Sequence, residues 1–383
     1  MILYGKNELM QRLFGDNEIY ELLKFAEKYG IEGNLIKAKT AWLLMSDENP
    51  FSLSTERNEG EGSVYLVAKK DINEIRKLFF AEREGLLDYK PLNKNISGEE
   101  KRIGKAILNF VKVLEETKSE DEFFEAVKEY YVKNGVGTFG INKAFYMQDD
   151  GNLVPVSHIR DVDFLELWGY ESQQERLISN TRAFANGKMA NNVLLYGDSG
   201  TGKSTSIKAV LNKFFDSGVR MIQIQKHQFV HLSLLTEKLK KRNYRFIIYI
   251  DDLSFEEFEV EYKYLKAAIE GGLEEKPENV LIYATSNRRH LIKETFGERE
   301  ADDIHRNETV QEKISLSDRF GLQIYYEKPN QQQYFEIAKH LAAIDGLEIE
   351  EETLIAEAKK WGVSHGGFSG RTAKQLILHL KTK

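Results

Sequence analysis

This chain contains a glycine-rich segment with the pattern G-x-x-x-x-G-K-[ST], namely Gly197-Asp198-Ser199-Gly200-Thr201-Gly202-Lys203-Ser204. It follows the apolar run 193–196 and precedes a stretch with helical spacing at 205–211. A phosphate-binding loop requires this strand–loop–helix context. The glycines let main-chain N–H groups point at an anion, and the helix N-terminus adds the positive end of its dipole. The segment therefore predicts a nucleotide-phosphate site.

Within this loop, Lys203 is expected to reach the β- and γ-phosphates, and the hydroxyl of Ser204 is expected to bind Mg²⁺. A plain glycine-rich turn is the alternative, but the flanking strand and helix favour phosphate binding. The expected nucleotide-binding residues of the loop are Gly197, Asp198, Ser199, Gly200, Thr201, Gly202, Lys203, Ser204 and Thr205.

Composition indicates a globular protein: 383 residues, 41% hydrophobic and 30% charged, are enough for two or three domains. We expect no membrane span and no signal peptide, because no run of eighteen apolar residues occurs and the first residues lack a basic region followed by an apolar core. The absence of cysteine excludes disulfides and fits a cytoplasmic location. The net charge of −7 does not favour general affinity for nucleic acid, although a local basic patch would still bind phosphates.

Three domains are predicted. Residues 1–155 form a mainly helical domain with helices at 18–29, 99–115 and 121–133 and a hairpin around the Asp150-Gly151 step. Its role is either docking and regulation or that of a helical scaffold. Residues 156–330 form an α/β core, and residues 331–383 form a small helical lid with helices at 332–345, 351–361 and 371–381.

The core is expected to be a parallel five-stranded sheet flanked by helices, because strands and helices alternate along it. The strands are predicted at 192–196, 219–225, 245–250, 280–284 and 322–326.

Two strands end in polar residues that suit phosphate chemistry. The run 246–250 ends at Asp251-Asp252, the Walker B pattern, and would bring Asp251 to the sheet edge to hold Mg²⁺ through water. The segment 280–287 is another buried strand that ends in small polar residues, and the amide of Asn287 would contact the attacking water or the γ-phosphate. The alternative is an ordinary strand-to-turn Asn.

Two arginines stand in informative places. Arg319 precedes the last strand and would neutralise phosphoryl charge in a neighbouring subunit's site, or else form a surface ion pair with Asp318. Arg371 lies in the first turn of the last helix, where the helix dipole disfavours a cation. This favours a functional role for Arg371 over that of an ordinary exposed side chain.

Taken together, these parts resemble AAA+ ATPases, and in particular a bacterial AAA+ family catalogued as a domain of unknown function. The resemblance spans roughly residues 135–380 and is carried by the strings at 190–198, 251–256, 284–289 and 316–321. Residues 1–130 show no such resemblance.

The resemblance implies a role for each matched residue. Residues 197–205 would be Walker A and Asp251 with Asp252 Walker B, while Asn287 would be sensor 1, Arg319 the arginine finger and Arg371 sensor 2. It also implies ATP and Mg²⁺ as cofactors and ATP-favoured homo-oligomers, acting on an unknown client.

The resemblance also implies that Trp168-Gly169-Tyr170 flanks the adenine; the alternative for Trp168 and Tyr170 is core packing. A guanine-binding N-K-x-D motif is missing, since Asn93 and Asn142 start segments without the Asp, so ATP is preferred to GTP.

One residue departs from the family pattern. Asp252 stands where most AAA+ ATPases have Glu, and a general base must lie within hydrogen-bond reach of its water. Either Asp252 acts through a second water, or Glu256 or Glu257 replaces it, or hydrolysis is slow; we expect slow but real ATP hydrolysis. The alternatives are an ATP-dependent switch or loader with little turnover, or a protein that acts on nucleic-acid complexes.

Three further features carry less weight. His227 and His231 have zinc-like spacing, but the Glu of the metalloprotease motif is missing. The basic cluster at 238–245 is more typical of a solvated helix end than of a nucleic-acid contact, and the acidic segment 298–303 indicates a surface insertion.

Overall fold

The computed structural model describes residues 18–60, 62–81, 88–93, 95–157, 159–160, 162–255, 259–270, 277–287, 291 and 316–382. The chain divides into two compact units. The first comprises Met1–Ala144, Pro155–Arg160 and Arg242–Tyr244, and the second comprises Phe145–Val154, Asp161–Lys241 and Arg245–Lys383. The three-domain division drawn from the sequence stays a prediction.

The first unit is helical where it is described. Its helices are α1 (Glu18–Tyr29), α2 (Leu35–Ser46), α3 (Pro50–Glu56), α4 (Ser63–Phe79), α5 (Gly98–Glu115), α6 (Glu120–Asn134) and α7 (Gly137–Ile141). The three helices predicted here are confirmed to within one residue at each end. Local signals fix several starts: the side chain of Asn49 accepts hydrogen bonds from the first turn of α3, and Pro50 occupies the first helical position.

Aromatic packing and one buried ion pair hold this unit together. Phe51 stacks on Phe124 at 5.4 Å and meets Tyr65 edge-on at 5.0 Å. The guanidinium of Arg242 donates to both carboxylate oxygens of Glu56 at 2.8 Å. Glu56 is almost fully buried, so this bidentate pairing offsets much of the cost of desolvating its charge.

The second unit is built on a seven-stranded sheet. Its strands are β1 (Ala144–Met147), β2 (Leu153–Pro155), β3 (Val193–Gly197), β4 (Val219–Ile224), β5 (Arg245–Ile250), β6 (Val280–Ser286) and β7 (Leu322–Tyr326), in the order β2-β1-β4-β5-β6-β3-β7. The five strands β4, β5, β6, β3 and β7 pair in parallel, which confirms the predicted five-stranded core. The predicted hairpin is present as β1 and β2, and it extends the sheet beside β4.

Helices cover the sheet and form the lid. They are α8 (Glu171–Ala185), α9 (Lys203–Phe214), α10 (Leu232–Lys240), α11 (Glu261–Glu270), and the lid helices α12 (Gln331–Ile344), α13 (Glu351–Ser364) and α14 (Gly370–Lys381). Strands β5 and β6 are buried nearly throughout, as expected for a parallel sheet with both faces covered. The lid has its own small core, which includes Tyr334, Leu354 and Leu376.

Gly104 marks a close helix crossing in the first unit. A Cβ at this position would lie 2.0 Å from the carbonyl oxygen of Tyr29 in α1. Alanine is the better helix former by about 1 kcal/mol, but an overpacked contact typically costs about 1–3 kcal/mol. The neighbour here is main chain and cannot rotate away, so the upper part of this range, about 2–3 kcal/mol, applies. After the gain in helix propensity, we expect Gly104→Ala to lower the free energy of unfolding by about 1–2 kcal/mol.

Urea denaturation of the full chain, followed by circular dichroism, measures this change. Lys105→Ala is the matched control on the same helix, because Lys105 is exposed and its loss should change stability by less than about 0.5 kcal/mol. A Gly104→Ala variant as stable as the control would contradict the packing.

Candidate phosphate-binding site

The site begins with the register of three parallel strands. Tyr196 of β3 pairs with Ser286 of β6, and Ile250 of β5 pairs with Ala284 of β6. The strands therefore end at one edge of the sheet, where the phosphate-loop segment, Asp251 and Asn287 follow them. This is the arrangement that the sequence predicts.

The loop after β3 depends on glycine. Gly197, Gly200 and Gly202 have φ values of +129°, +78° and +96°, which side chains rarely adopt. A Cβ at Gly197 would also lie 2.2 Å from the carbonyl oxygen of Tyr326. Helix α9 begins at Lys203, directly after Gly202, so its N-terminus opens onto the loop.

The other loop residues have identifiable places. The hydroxyl of Thr201 is buried and donates to the carbonyl oxygen of Asp198 at 2.8 Å. The carboxylate of Asp198 accepts a hydrogen bond from the main-chain N–H of Lys328 at 3.1 Å. Ser199 is exposed on the loop, and Thr205 lies in the first turn of α9.

Lys203 is held by three acceptors. Its Nζ donates to the carbonyl oxygens of Gly197 at 2.8 Å and Asp198 at 2.6 Å, and to Oδ1 of Asn287 at 3.0 Å. Burial lowers the pKa of this ammonium below its ordinary value, although the nearby carboxylates of Asp198, Asp252 and Asp251 oppose the shift. The charged end of Lys203 is thus directed at the loop and at the end of β6.

Ser204 and Asp251 form a pair of hard oxygen ligands. The hydroxyl of Ser204 donates to Oδ1 of Asp251 at 2.7 Å, and the hydroxyl of Thr285 donates to the same oxygen at 2.6 Å. Burial alone would raise the pKa of Asp251, but the hydrogen bonds from Thr285 and Ser204 outweigh it and hold the pKa below its usual value. A hydroxyl beside an ionised carboxylate is a donor set that suits Mg²⁺.

Asn287 links Lys203 to the second acid. Its Nδ2 donates to Oδ1 of Asp252 at 2.8 Å, while its Oδ1 accepts from Lys203. The two contacts need opposite ends of the amide, so they fix its orientation. Glu256 and Glu257, the other acids considered as bases, lie outside the described residues.

Arg371 lies where the lid meets the loop. Its main-chain N–H donates to the carbonyl oxygen of Gly200 at 3.2 Å, at the start of α14. The side chain of Ser369 caps this helix. A Cβ on Gly200 would be 3.1 Å from the Ser369 hydroxyl and 3.2 Å from Cβ of Arg371, so the lid packs closely on the loop.

Arg319 forms an ion pair with Glu270, the last residue of α11. Its side chain is partly exposed. A role for Arg319 in a neighbouring subunit stays a prediction.

The two aromatic residues before α8 differ in their surroundings. Tyr170 is buried, donates its hydroxyl to the carbonyl oxygen of Glu327 at 2.8 Å, and stacks on Tyr326 at 5.2 Å. Trp168 is half exposed and stacks on His340 of α12 at 4.5 Å. These contacts are those of core packing for Tyr170, and its contact with adenine stays a prediction.

The two histidines with zinc-like spacing contact the β1–β2 turn. His227 is 2.8 Å from a carboxylate oxygen of Asp149, and Nε2 of His231 is 3.0 Å from the Asp149 carbonyl oxygen. Among the described residues, no three His, Cys, Asp or Glu side chains are grouped as metal ligands.

Thr285 is a site residue that sequence reasoning missed. Besides its bond to Asp251, its hydroxyl accepts a hydrogen bond from the main-chain N–H of Asp252 at 2.9 Å. The available signal was a small polar residue near the end of a buried strand. The hydrogen-bond partners of Thr285 follow from the register of β5 and β6, which no local sequence pattern encodes.

No helix within the described ranges has both the length and the apolar character to cross a bilayer.

The parallel sheet with its loop, acid pair and helical lid confirms the AAA+ P-loop fold class predicted from the sequence.

Comparison with solved structures gives similarities at low identity. The Thermotoga maritima RuvB Holliday junction branch migration motor is 18% identical over 58% of this chain and 65% of that chain, with a TM-score of 0.40. The Aeropyrum pernix ORC2 protein is 14% identical over 58% of this chain and 64% of that chain, with a TM-score of 0.41. The matches thus span just under two thirds of each of those chains.

No curated protein matches this sequence. A family model described as "Protein of unknown function (DUF815)" matches residues 141–383, well over half of the chain. This agrees with the resemblance seen in the sequence strings: the chain belongs to the DUF815 family.

Proposed function

We propose that this chain is an ATPase that binds ATP with Mg²⁺, hydrolyses it slowly, and couples its nucleotide state to a conformational change on a client. One observation carries the proposal. The ammonium of Lys203 bonds to the amide of Asn287, and the hydroxyl of Ser204 bonds to Asp251. Both pairs lie at the edge of the sheet where the glycine loop opens.

The loop and Lys203 supply phosphate binding. Main-chain N–H groups of the loop and the N-terminus of α9 favour an anion. The three hydrogen bonds of Lys203 hold its ammonium beside that N-terminus, where it would hold the β- and γ-phosphates. Arg371, exposed at the first turn of α14, would sense the γ-phosphate within the same chain.

Magnesium fits the oxygen ligands of this edge. Ser204 and Asp251 would hold it, and it would supply positive charge to neutralise the phosphates. Hydrogen bonds keep Asp251 ionised, which is the state a cation requires.

Asp252 is the proposed base and Asn287 the residue that orients the water. Their contact at 2.8 Å holds the carboxylate towards the Lys203 side of the site. Because Asp is one methylene shorter than Glu, the carboxylate has less reach towards a water, and we propose that turnover is slow for this reason.

We further propose adenine as the base. The chain lacks the guanine motif, and Trp168 offers a half-exposed indole beside the lid helix α12. The lack of cysteine fits a reducing compartment, so the proposed location is the cytoplasm.

Lys203→Ala should abolish Mg²⁺-dependent phosphate release from ATP. The substitution removes the cation that meets the phosphates, and loss of one such group costs about 100-fold or more in rate. A phosphate-release assay on purified full-length protein measures it.

Lys213→Ala is the matched control, because Lys213 is exposed in the last turn of the same helix and should not affect the rate. A wild-type protein with no Mg²⁺-dependent release, or a Lys203→Ala variant as active as wild type, would contradict the enzymatic proposal.

We propose that Arg319 acts in a neighbouring copy's site, so that ATP favours a homo-oligomer. Arg319 lies just before β7, and its partly exposed guanidinium forms an ion pair with Glu270 of the same chain. An arginine supplied by a neighbour stabilises charge in the phosphoryl-transfer transition state.

Subunit mixing tests this proposal. Lys203→Ala and Arg319→Ala should each be nearly inactive. The first variant lacks its phosphate contact, and the second lacks the arginine, whose loss should lower kcat on the order of 10³-fold. A mixture of the two should regain part of the activity, since Lys203→Ala subunits still supply Arg319 to their neighbours.

Glu270→Ala is the control, because it removes the ion pair but keeps the arginine. Absence of any recovery in the mixture, together with sedimentation of a monomer in ATP analogue, would refute action between subunits.

A second candidate function is an ATP-dependent binding switch with little turnover, and Asp252 in place of the usual Glu favours it. Capture of a client only in the ATP state, with negligible phosphate release, would support this alternative. The client is either a protein or a nucleic-acid complex, and ATPase stimulation by DNA with steep salt dependence would indicate the latter.

A further inference from the structure

Thr285 occupies a central place between the two acids. It is the sixth residue of β6, and its side chain is 2% exposed. Its hydroxyl donates to Oδ1 of Asp251 at 2.6 Å and accepts from the N–H of Asp252 at 2.9 Å. One buried hydroxyl thus contacts both acids, through the side chain of the first and the main chain of the second.

The directions of these two bonds matter. A hydroxyl has a single hydrogen to donate, and Thr285 gives it to a carboxylate, which makes a charge-assisted bond. A lone pair of the same oxygen accepts the N–H of Asp252, so the hydroxyl fixes the carboxylate of Asp251 relative to the backbone of Asp252.

Asp252 needs this support because its backbone is strained. It has φ of +51°, and it is one of two described residues other than glycine with positive φ. The hydroxyl of Thr285 binds the N–H of Asp252, and the carbonyl oxygen of Thr285 accepts from the N–H of Leu253 at 2.7 Å. Thr285 therefore holds the turn on both sides of Asp252.

The turn decides where a short side chain can reach. With the backbone so held, the carboxylate of Asp252 accepts the amide of Asn287 at 2.8 Å. A relaxed backbone at this position would direct the same carboxylate elsewhere, because Asp has one methylene fewer than Glu with which to compensate.

We propose that Thr285 is a positioning residue of the ATPase site, whose hydroxyl sets the magnesium-binding acid Asp251 and the base Asp252 in one fixed arrangement. The inference rests on the proposed function and assigns a role to a residue outside the phosphate loop, the acid pair and the arginines.

The test compares Thr285→Val, which keeps the shape and removes the hydroxyl, with Thr285→Ser, which keeps the hydroxyl. The readout is the affinity for the fluorescent analogue mant-ATP, titrated by anisotropy over a range of Mg²⁺ concentrations and in EDTA. Thr285→Val should raise the Mg²⁺ concentration needed for half-maximal binding about tenfold or more, as loss of a group that orients a metal ligand does.

Binding in EDTA should stay at the wild-type level, because Lys203 and the loop are untouched. Thr285→Ser should keep the wild-type Mg²⁺ dependence. In phosphate release, Thr285→Val should lower kcat more than it changes KM at saturating Mg²⁺, since Asp252 also loses its support.

Thr181→Val is the matched control for a purely structural loss. Thr181 is fully buried in α8 and bonds to the hydroxyl of Tyr283, away from both acids. Thr181→Val should lower the melting temperature and leave the Mg²⁺ dependence of mant-ATP binding unchanged. If Thr285→Val fails to fold by circular dichroism, Thr285→Ala removes the same hydroxyl without adding bulk and carries the same expectation.

The outcomes separate the two proposals. A wild-type protein that binds no mant-ATP would overturn the proposed function. Wild-type binding that depends on Mg²⁺, with the same dependence in the variants without the hydroxyl, would overturn the role of Thr285 alone.

Discussion

The in-register parallel pairing of β3, β6 and β5 is the constraint on which the site depends. A slip of one residue would move a strand end by about 3.3 Å and turn its side chains to the other face of the sheet. Lys203 and Asn287, which lie after different strands, would then lose their 3.0 Å contact. Strands β5 and β6 are buried on both faces, so a slip would exchange the side chains packed against each face and disrupt the close packing there. The packing of the sheet core therefore also positions the polar groups at its edge.

Local patterns in the sequence predict one part of this site and not another. Gly200, Gly202 and Lys203 stand in one short motif between a strand and a helix, so the loop and its backbone conformation were predictable. The same holds for the five parallel strands, whose largely apolar runs alternate with helical segments along the chain. The position of Thr285 between two acids, and the ion pair of Arg319 with Glu270, join segments far apart in sequence, and no periodicity or spacing carries them. For the same reason the hairpin was predictable, but its place beside β4 was not.

Asp252, which stands where most AAA+ ATPases have Glu, lies in a strained turn. A shorter acid needs a backbone that brings its carboxylate to the site, and a positive φ at a residue other than glycine costs about 1–2 kcal/mol. Hydrogen bonds from Asp252 and Leu253 to Thr285, and from Asn287 to the carboxylate, offset that cost. In this account, the end of β6 does as much as the phosphate loop to define the site.

Calorimetric titration of the wild-type chain with ADP and ATP, each with and without Mg²⁺, measures whether the loop and the neighbouring acids form a nucleotide site. We expect one adenine-nucleotide site per chain, with tighter binding of ATP when Mg²⁺ is present. Absence of binding heat at millimolar nucleotide, confirmed by equilibrium dialysis, would contradict it.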